Sequence, residues 1–402
     1  TPEWFPLGSE PELKGWLEAL RSRLAWKIGT MSGNASKPPA FLMAGILREL
    51  HEFVLGPMDG AIPAHASRWL ISPDGLIHDV PFAALRDEHG RFLCDSLAMT
   101  TRVGSGRDIL RSPPSSQFHK GPWTLAGVSE FPHNPTEQSD HLASILAQPP
   151  PLPGTKKELR SIAAIAPKGS TRLMNLSESD LFNLDPSSTV LHLSTHSFFV
   201  GIEDASNPPL DLDQSVDRLF ASGILLHRAG LRPANTPLPS PDDDILFPSE
   251  IAKLPLAGTR LVTLSSCESG TGTSIHGEGQ IGLQRAFALA GVRETVSALW
   301  PVTDQGSAEF MRRFYEMVLA TNNPAQALWQ TQREQLETSD DLDAAVLFNA
   351  PFVLTQQGPA LELGEIPDKP KKRFWSWLIP LPLLLFLISR WMPARKESAD
   401  TA

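Results

Sequence analysis

The chain holds 402 residues, 41% of them hydrophobic, which is enough for one large α/β domain or two smaller ones. Its formal net charge is −10, and no basic stripe crosses the globular part, which argues against nucleic acid as the main partner. Two cysteines, Cys94 and Cys267, are too few for a secreted disulfide scaffold and suit a reducing compartment, although counting alone leaves a bond between them open.

The chain opens at Thr1 with no signal-peptide pattern, and is expected to be a piece of a longer protein whose N-terminal part is missing. Its 37 prolines predict long connections rather than long helices. Residues 9–29 carry Leu13, Trp16, Leu17, Leu20 and Leu24 at helical spacing, and a second helical stretch runs from about Pro39 to Leu55. Trp69-Leu70-Ile71 reads as a strand ending in the turn Ser72-Pro73-Asp74-Gly75, with Leu76 to Pro81 returning as a hairpin. Thr124 to Val128 is a further strand, and Lys156 to Ala166 a helix after Pro153-Gly154. Strands alternating with helices indicate an α/β fold.

Two apolar runs carry the most information. Thr189-Val190-Leu191-His192-Leu193-Ser194-Thr195-His196 and Arg260-Leu261-Val262-Thr263-Leu264-Ser265-Ser266-Cys267 lack the gaps of a helix face. Each reads as a buried strand of a parallel sheet ending in a reactive side chain. Chemistry in such sheets gathers beyond the carboxyl ends of the strands. If the two are neighbours, His196 and Cys267 share one rim, as nucleophile and base. Backbone amides in the glycine-bearing turn after Cys267 are candidate oxyanion donors. His192 shares the strand face of Val190 and is read as a packing residue with a bonded ring nitrogen. His276 lies near the glycine-rich loop. No Cys/His spacing matches a zinc site.

The segment Arg228 to Phe247, with Asp242-Asp243-Asp244, reads as a solvated connection or a flap. Helices are expected at about Ile281 to Ala290 and Gln305 to Leu319, with a strand at Glu294 to Trp300 between them. Gly277-Glu278-Gly279-Gln280-Ile281-Gly282 matches the dinucleotide fingerprint in letters, but about ten residues separate it from the strand that the fingerprint must follow. At the C-terminus, Phe374 to Ser389 is an apolar run with tryptophans and basic residues at both ends. It is expected to be a transmembrane segment, with the globular part facing the cytoplasm.

Several motifs resemble the CHAT-domain cysteine peptidases, relatives of caspases and separases. Leu191-His192-Leu193-Ser194-Thr195-His196 is similar to their histidine motif, and Leu264-Ser265-Ser266-Cys267-Glu268-Ser269-Gly270 to their cysteine motif. Gly277 to Phe287 with Ala290-Gly291, then Ala298 to Asp304, resemble the helix and strand that follow. Pro73-Asp74-Gly75 and Val80-Pro81-Phe82-Ala83-Ala84-Leu85 look like the start of the same domain.

The resemblance implies a caspase-like three-layer α/β sandwich around a mostly parallel sheet. It implies a dyad of His196 as base and Cys267 as nucleophile, with backbone oxyanion donors at Ser197 and Cys267. Where the family carries glycine after the histidine, this chain has Ser197, which keeps the N–H but loses any glycine-only backbone angle. Asp304 matches the acid that in separase-like relatives recognises a basic side chain; a carboxylate there also suits a helix N-cap.

The expected organisation is an N-terminal helical segment at 1–39, the end of a sensor or repeat region, and a peptidase domain at 40–357. A basic linker at 358–373, a membrane span at 374–391 and a polar tail at 392–402 follow. The expected function is a membrane-anchored cysteine endopeptidase that cuts a protein substrate after a basic residue, without metal, nucleotide or other cofactor. A sensor region or partner would regulate it. The rival expectations are an inactive scaffold that binds protein partners at the membrane, and a nucleotide-binding protein using Gly277 to Gly282.

Overall fold

The structure, a computed structural model, describes residues 3–34, 37–63, 66–96, 99–110, 121–132, 149–199, 222–231, 242–266, 273–275, 279–302 and 304–358. Residues 1–364 form one compact unit, and 365–402 are a second that lies outside the described residues.

The strands, in chain order, are β1 Arg68–Ile71, β2 Met99–Val103, β3 Trp123–Gly127, β4 Thr171–Met174, β5 Val190–Ser194, β6 Ser197–Phe199, β7 Ser222–Leu225, β8 Ile245–Leu246, β9 Leu261–Ser265, β10 Thr273–Ile275, β11 Gly279–Ile281, β12 Glu294–Ala298 and β13 Phe352–Gln356. The longer helices are α1 Glu10–Met31, α2 Met43–Leu55, α3 Gly154–Ala163, α4 Leu283–Leu289, α5 Asp304–Thr321, α6 Pro324–Thr338 and α7 Leu342–Asn349.

Eight strands form the main sheet in the order β1-β2-β13-β12-β9-β5-β3-β4. Neighbours pair in parallel except β12 with β13, so the fold is mixed α/β with a mostly parallel central sheet. Its central strands are buried on both faces, which is why they read as unbroken apolar runs. Alternate residues divide between two cores. Leu125, Val190, Leu261 and Val296 meet Leu159 and Ile162 of α3, Phe310 and Phe314 of α5, and Leu328 of α6. Ala126, Leu191, Leu193, Val262 and Leu264 meet Ala286 and Phe287 of α4 and the apolar residues of β7 and β8. A third core joins the leucine stripe of α1 to α2, α7 and the 80–85 segment.

Three expectations need correction. Leu76 to Pro81 is not a hairpin: β1 pairs in parallel with β2, and Gly75–Asp79 is a 3-10 turn whose first amide is capped by Asp74. The carbonyls of His78 and Val80, which a hairpin ladder would need, accept instead from the buried Arg102 guanidinium at 2.6 and 2.8 Å.

The second half of Arg228 to Phe247 is core rather than solvated connection. Ile245 and Leu246 form β8 beside β7, and Asp243 to Phe247 are buried. Asp244 accepts from the Arg228 amide at 2.7 Å, which turns its charge inward. Residues 232–241 lie outside the described residues.

Long helices also occur despite the prolines, α1 with 22 residues, α5 with 18 and α6 with 15. Pro11 and Pro324 sit in the first turns of α1 and α6, where a missing N–H breaks no helical bond.

Among the described residues, no helix is long and apolar enough to cross a membrane. The expected span at 374–391 lies outside them.

Candidate active site

β5 and β9 are direct parallel neighbours, and their register runs from Val190 opposite Leu261 to Ser194 opposite Ser265. His196 follows two residues after Ser194, and Cys267 two residues after Ser265 in the sequence. Cys267 lies outside the described residues, as do Glu268 to Gly270 and His276.

His196 stands at a junction. β5 ends at Ser194, and β6 begins at Ser197 in a separate three-stranded sheet with β7 and β8. The chain between them is clamped on both sides. Thr195 Oγ1 donates to the Leu225 carbonyl at 2.6 Å, and the His196 carbonyl accepts from the Leu225 amide at 2.8 Å. The Ser194 carbonyl accepts from the Val128 amide at 3.0 Å. Hydrogen bonds at three consecutive residues, two through the backbone and one through the Thr195 hydroxyl, give the imidazole a defined base to stand on.

The imidazole itself is partly buried, with its ring centroid 5.1 Å from that of Phe131. His196 Nε2 lies 2.7 Å from the Pro150 carbonyl oxygen. A carbonyl only accepts, so Nε2 carries the proton of this bond. In the neutral ring Nδ1 then holds the lone pair, which makes it the atom able to act as a base.

Neither Pro150 nor Phe131 was legible in the sequence. The Pro150 contribution is a main-chain carbonyl, which every residue possesses. Its segment is brought to the site by the Leu152 amide donating to the Ser129 carbonyl at 2.9 Å, just beyond β3.

Ser197 opens β6 opposite Ile224. Its backbone is extended, so serine occupies the position without the strain that a left-handed angle would bring. Asp304 is the first residue of α5; its side chain is outside the described set. The helix follows β12, itself the parallel neighbour of β9.

The reading of His192 as a packed residue with a bonded ring nitrogen agrees with the structure. It is fully buried, with Nδ1 3.2 Å from the Tyr315 hydroxyl. Cys94 is a free thiol that is 1% exposed, and burial, with Asp95 and Glu337 nearby, pushes its pKa well up. It is therefore a poor nucleophile.

A family model for the CHAT domain matches residues 45–380. The chain belongs to the CHAT domain family. No curated protein matches it by sequence. Among solved structures, this CHAT domain is similar to a chain of the Saccharomyces cerevisiae separase–securin complex, with a TM-score of 0.40 and 14% identity over 72% of this chain and 15% of that one. A second structure of that complex gives 0.41 and 13%, over 89% of this chain and 23% of that one. The CHAT chain thus spans less than a quarter of the length of either. The complex of Porphyromonas gingivalis RgpB pro- and mature domains gives 0.38 and 8%, over 89% and 78%.

Proposed function

We propose that this CHAT domain is a caspase-like cysteine endopeptidase with His196 as base and Cys267 as nucleophile. The observation that supports the reading is the β5–β9 register, in which Ser194 and Ser265, each two residues before a proposed dyad member, pair at the same end of adjacent parallel strands. The His196–Pro150 bond adds a chemical argument, since it leaves Nδ1 free of its own proton.

In this mechanism His196 Nδ1 takes the thiol proton of Cys267. The thiolate attacks the substrate carbonyl and the C–O π electrons move onto oxygen. Backbone N–H groups at Ser197 and Cys267 donate to that oxyanion. The oxyanion collapses, the C–N bond breaks, and imidazolium gives its proton to the departing amine. Water, deprotonated by His196, then adds to the thioester carbonyl; the C–S bond breaks, the carboxylic acid leaves, and the imidazolium returns its proton to the Cys267 sulfur. The Pro150 carbonyl favours the imidazolium while the charge exists, as a hydrogen bond to a charged donor is stronger than to a neutral one.

Asp304 is proposed to bind a basic side chain of a protein substrate, where a carboxylate favours Arg through paired hydrogen bonds. Residues 374–391 are proposed to anchor the protein in a membrane with the peptidase domain facing the cytoplasm, which keeps the thiol reduced. A sensor region or partner is proposed to hold it silent until triggered.

The test is a thiol-directed probe carrying a peptide with a C-terminal basic residue. Labelling of the wild type that is lost in Cys267→Ala and in His196→Ala supports the peptidase. Absence of labelling in the wild-type full-length chain favours a scaffold that binds partners without cutting them.

A further inference from the structure

Below the strand ends lies a polar cluster that the proposed chemistry does not use. His192 of β5 is fully buried and Glu158 of α3 is 2% exposed, with Nε2 3.2 Å from Glu158 Oε1. Across the ring, Nδ1 lies 3.2 Å from the Tyr315 hydroxyl of α5, which donates to Thr263 Oγ1 of β9 at 2.9 Å. Glu158 Oε2 accepts from Ser194 Oγ at 3.1 Å, and Ser194 shares a further 3.1 Å bond with Thr155 Oγ1. One buried cluster therefore ties both site strands to α3 and α5, two of the helices packed on that face.

The protons can be counted. The tyrosine hydroxyl gives its only proton to Thr263, so the bond at Nδ1 draws its proton from the ring. Nε2 then faces a carboxyl oxygen. At 3.2 Å the two atoms are close, yet neither makes a hydrogen bond to the other. Such a buried pair adds little stability compared with apolar side chains of equal volume. Core packing is therefore a poor reason for a histidine and a glutamate at these positions. Position is a better one, because Glu158 grips Ser194, two residues before His196.

We infer that His192 and Glu158 are positioning residues, whose buried contact and bond to Ser194 hold the end of β5 where His196 can meet the thiol of Cys267. This rests on the dyad proposed above. Cys94 is sealed in the core, so alkylation of the native full-length chain by iodoacetamide reads Cys267.

The experiment is the alkylation rate as a function of pH for wild type, His196→Ala, Glu158→Gln, His192→Gln and the Glu158→Gln/His192→Gln pair. The expected result is a displaced profile and about tenfold slower alkylation at neutral pH in each buried variant, with the double variant no slower than the singles because the pair acts as a unit. The chain has one tyrosine, so a ¹³C-labelled tyrosine ring gives a single reporter at Tyr315, which should move in both singles. Variants that melt earlier yet keep the wild-type profile would overturn the inference alone. A His196→Ala profile equal to wild type would overturn the dyad, and this inference with it. Should Glu158→Gln fail to fold, Tyr315→Phe removes one hydroxyl from the cluster; a wild-type profile there also overturns the inference.

Discussion

His196 donates from Nε2 to the Pro150 carbonyl at 2.7 Å, so the tautomer of the proposed base is set by the main chain of a distant segment. The ¹⁵N shifts of labelled protein, assigned with His196→Gln, should show the neutral ring protonated at Nε2 and bare at Nδ1. The opposite tautomer would leave Nδ1 unable to take a proton, and the mechanism would fail.

Cys94 is buried, and its pKa is raised first by desolvation. A Cys267→Ala chain should therefore show no thiol reactive to a disulfide reagent at neutral pH, and one thiol once denatured. A reactive thiol in the folded variant would show that Cys94 opens to solvent, and alkylation could no longer be assigned to a single residue.

Gly127 is required by close approach at the site. A Cβ there would lie 2.6 Å from the Ser194 carbonyl oxygen and 2.7 Å from Thr155 Cγ2. That oxygen accepts from the Val128 amide and lies two residues before His196. Gly127→Ala should cost about 1–3 kcal/mol in urea denaturation, as overpacking does, and slow alkylation of Cys267 as well. Unchanged stability would mean that β5 shifts freely against β3.

Two buried groups give opposite pH dependences. Glu178 is pushed up to about 8 by burial, then by Glu250, Asp243, Asp244 and Asp242. With its folded pKa above its ordinary 4.5, its contribution to stability is complete below 4.5 and is lost as pH rises through about 8. Glu178→Gln should match wild type in acid and exceed it above that range. His78 is pushed down to about 4 by burial, then by Arg102. Its contribution is complete above its ordinary 6.5 and is lost as pH falls through about 4, so His78→Gln should flatten the acid limb. Urea midpoints across the two ranges check both signs.

Asp304→Ala should remove preference for Arg in a peptide-bearing probe while leaving reaction of Cys267 with iodoacetamide unchanged, since the small reagent has no basic group to bind. Retained Arg preference, measured as the ratio of Arg-probe to Leu-probe labelling, would place the specificity acid elsewhere.

Much of the central sheet is legible in the sequence. The runs around His192 and Val262 are buried on both faces, and their apolar character survives in the sequence without alternation. The β1–β2 pairing was not readable, because a four-residue strand followed by Pro73-Asp74-Gly75 has the same letters in a hairpin and in a parallel crossover. Arg102, about thirty residues on, decides between them by taking the carbonyls. The buried side of the Asp242 to Asp244 segment was missed because charge normally marks solvent. Glu158 did leave a trace: Thr155, Glu158, Leu159 and Ile162 fall on one helical stripe, with a carboxylate at a core position.

By itself the sequence determined which reactive side chains exist, which strands carry them, and through its motifs the CHAT family. Those are properties of covalent order and of local hydrophobic periodicity. Only the tertiary structure decided that β5 lies directly beside β9, that Pro150 holds one nitrogen of His196, and that Glu158 and Tyr315 close around His192. These depend on contacts between segments tens to more than a hundred residues apart, and two of them use a carbonyl or a hydroxyl whose meaning comes solely from what the fold places opposite it.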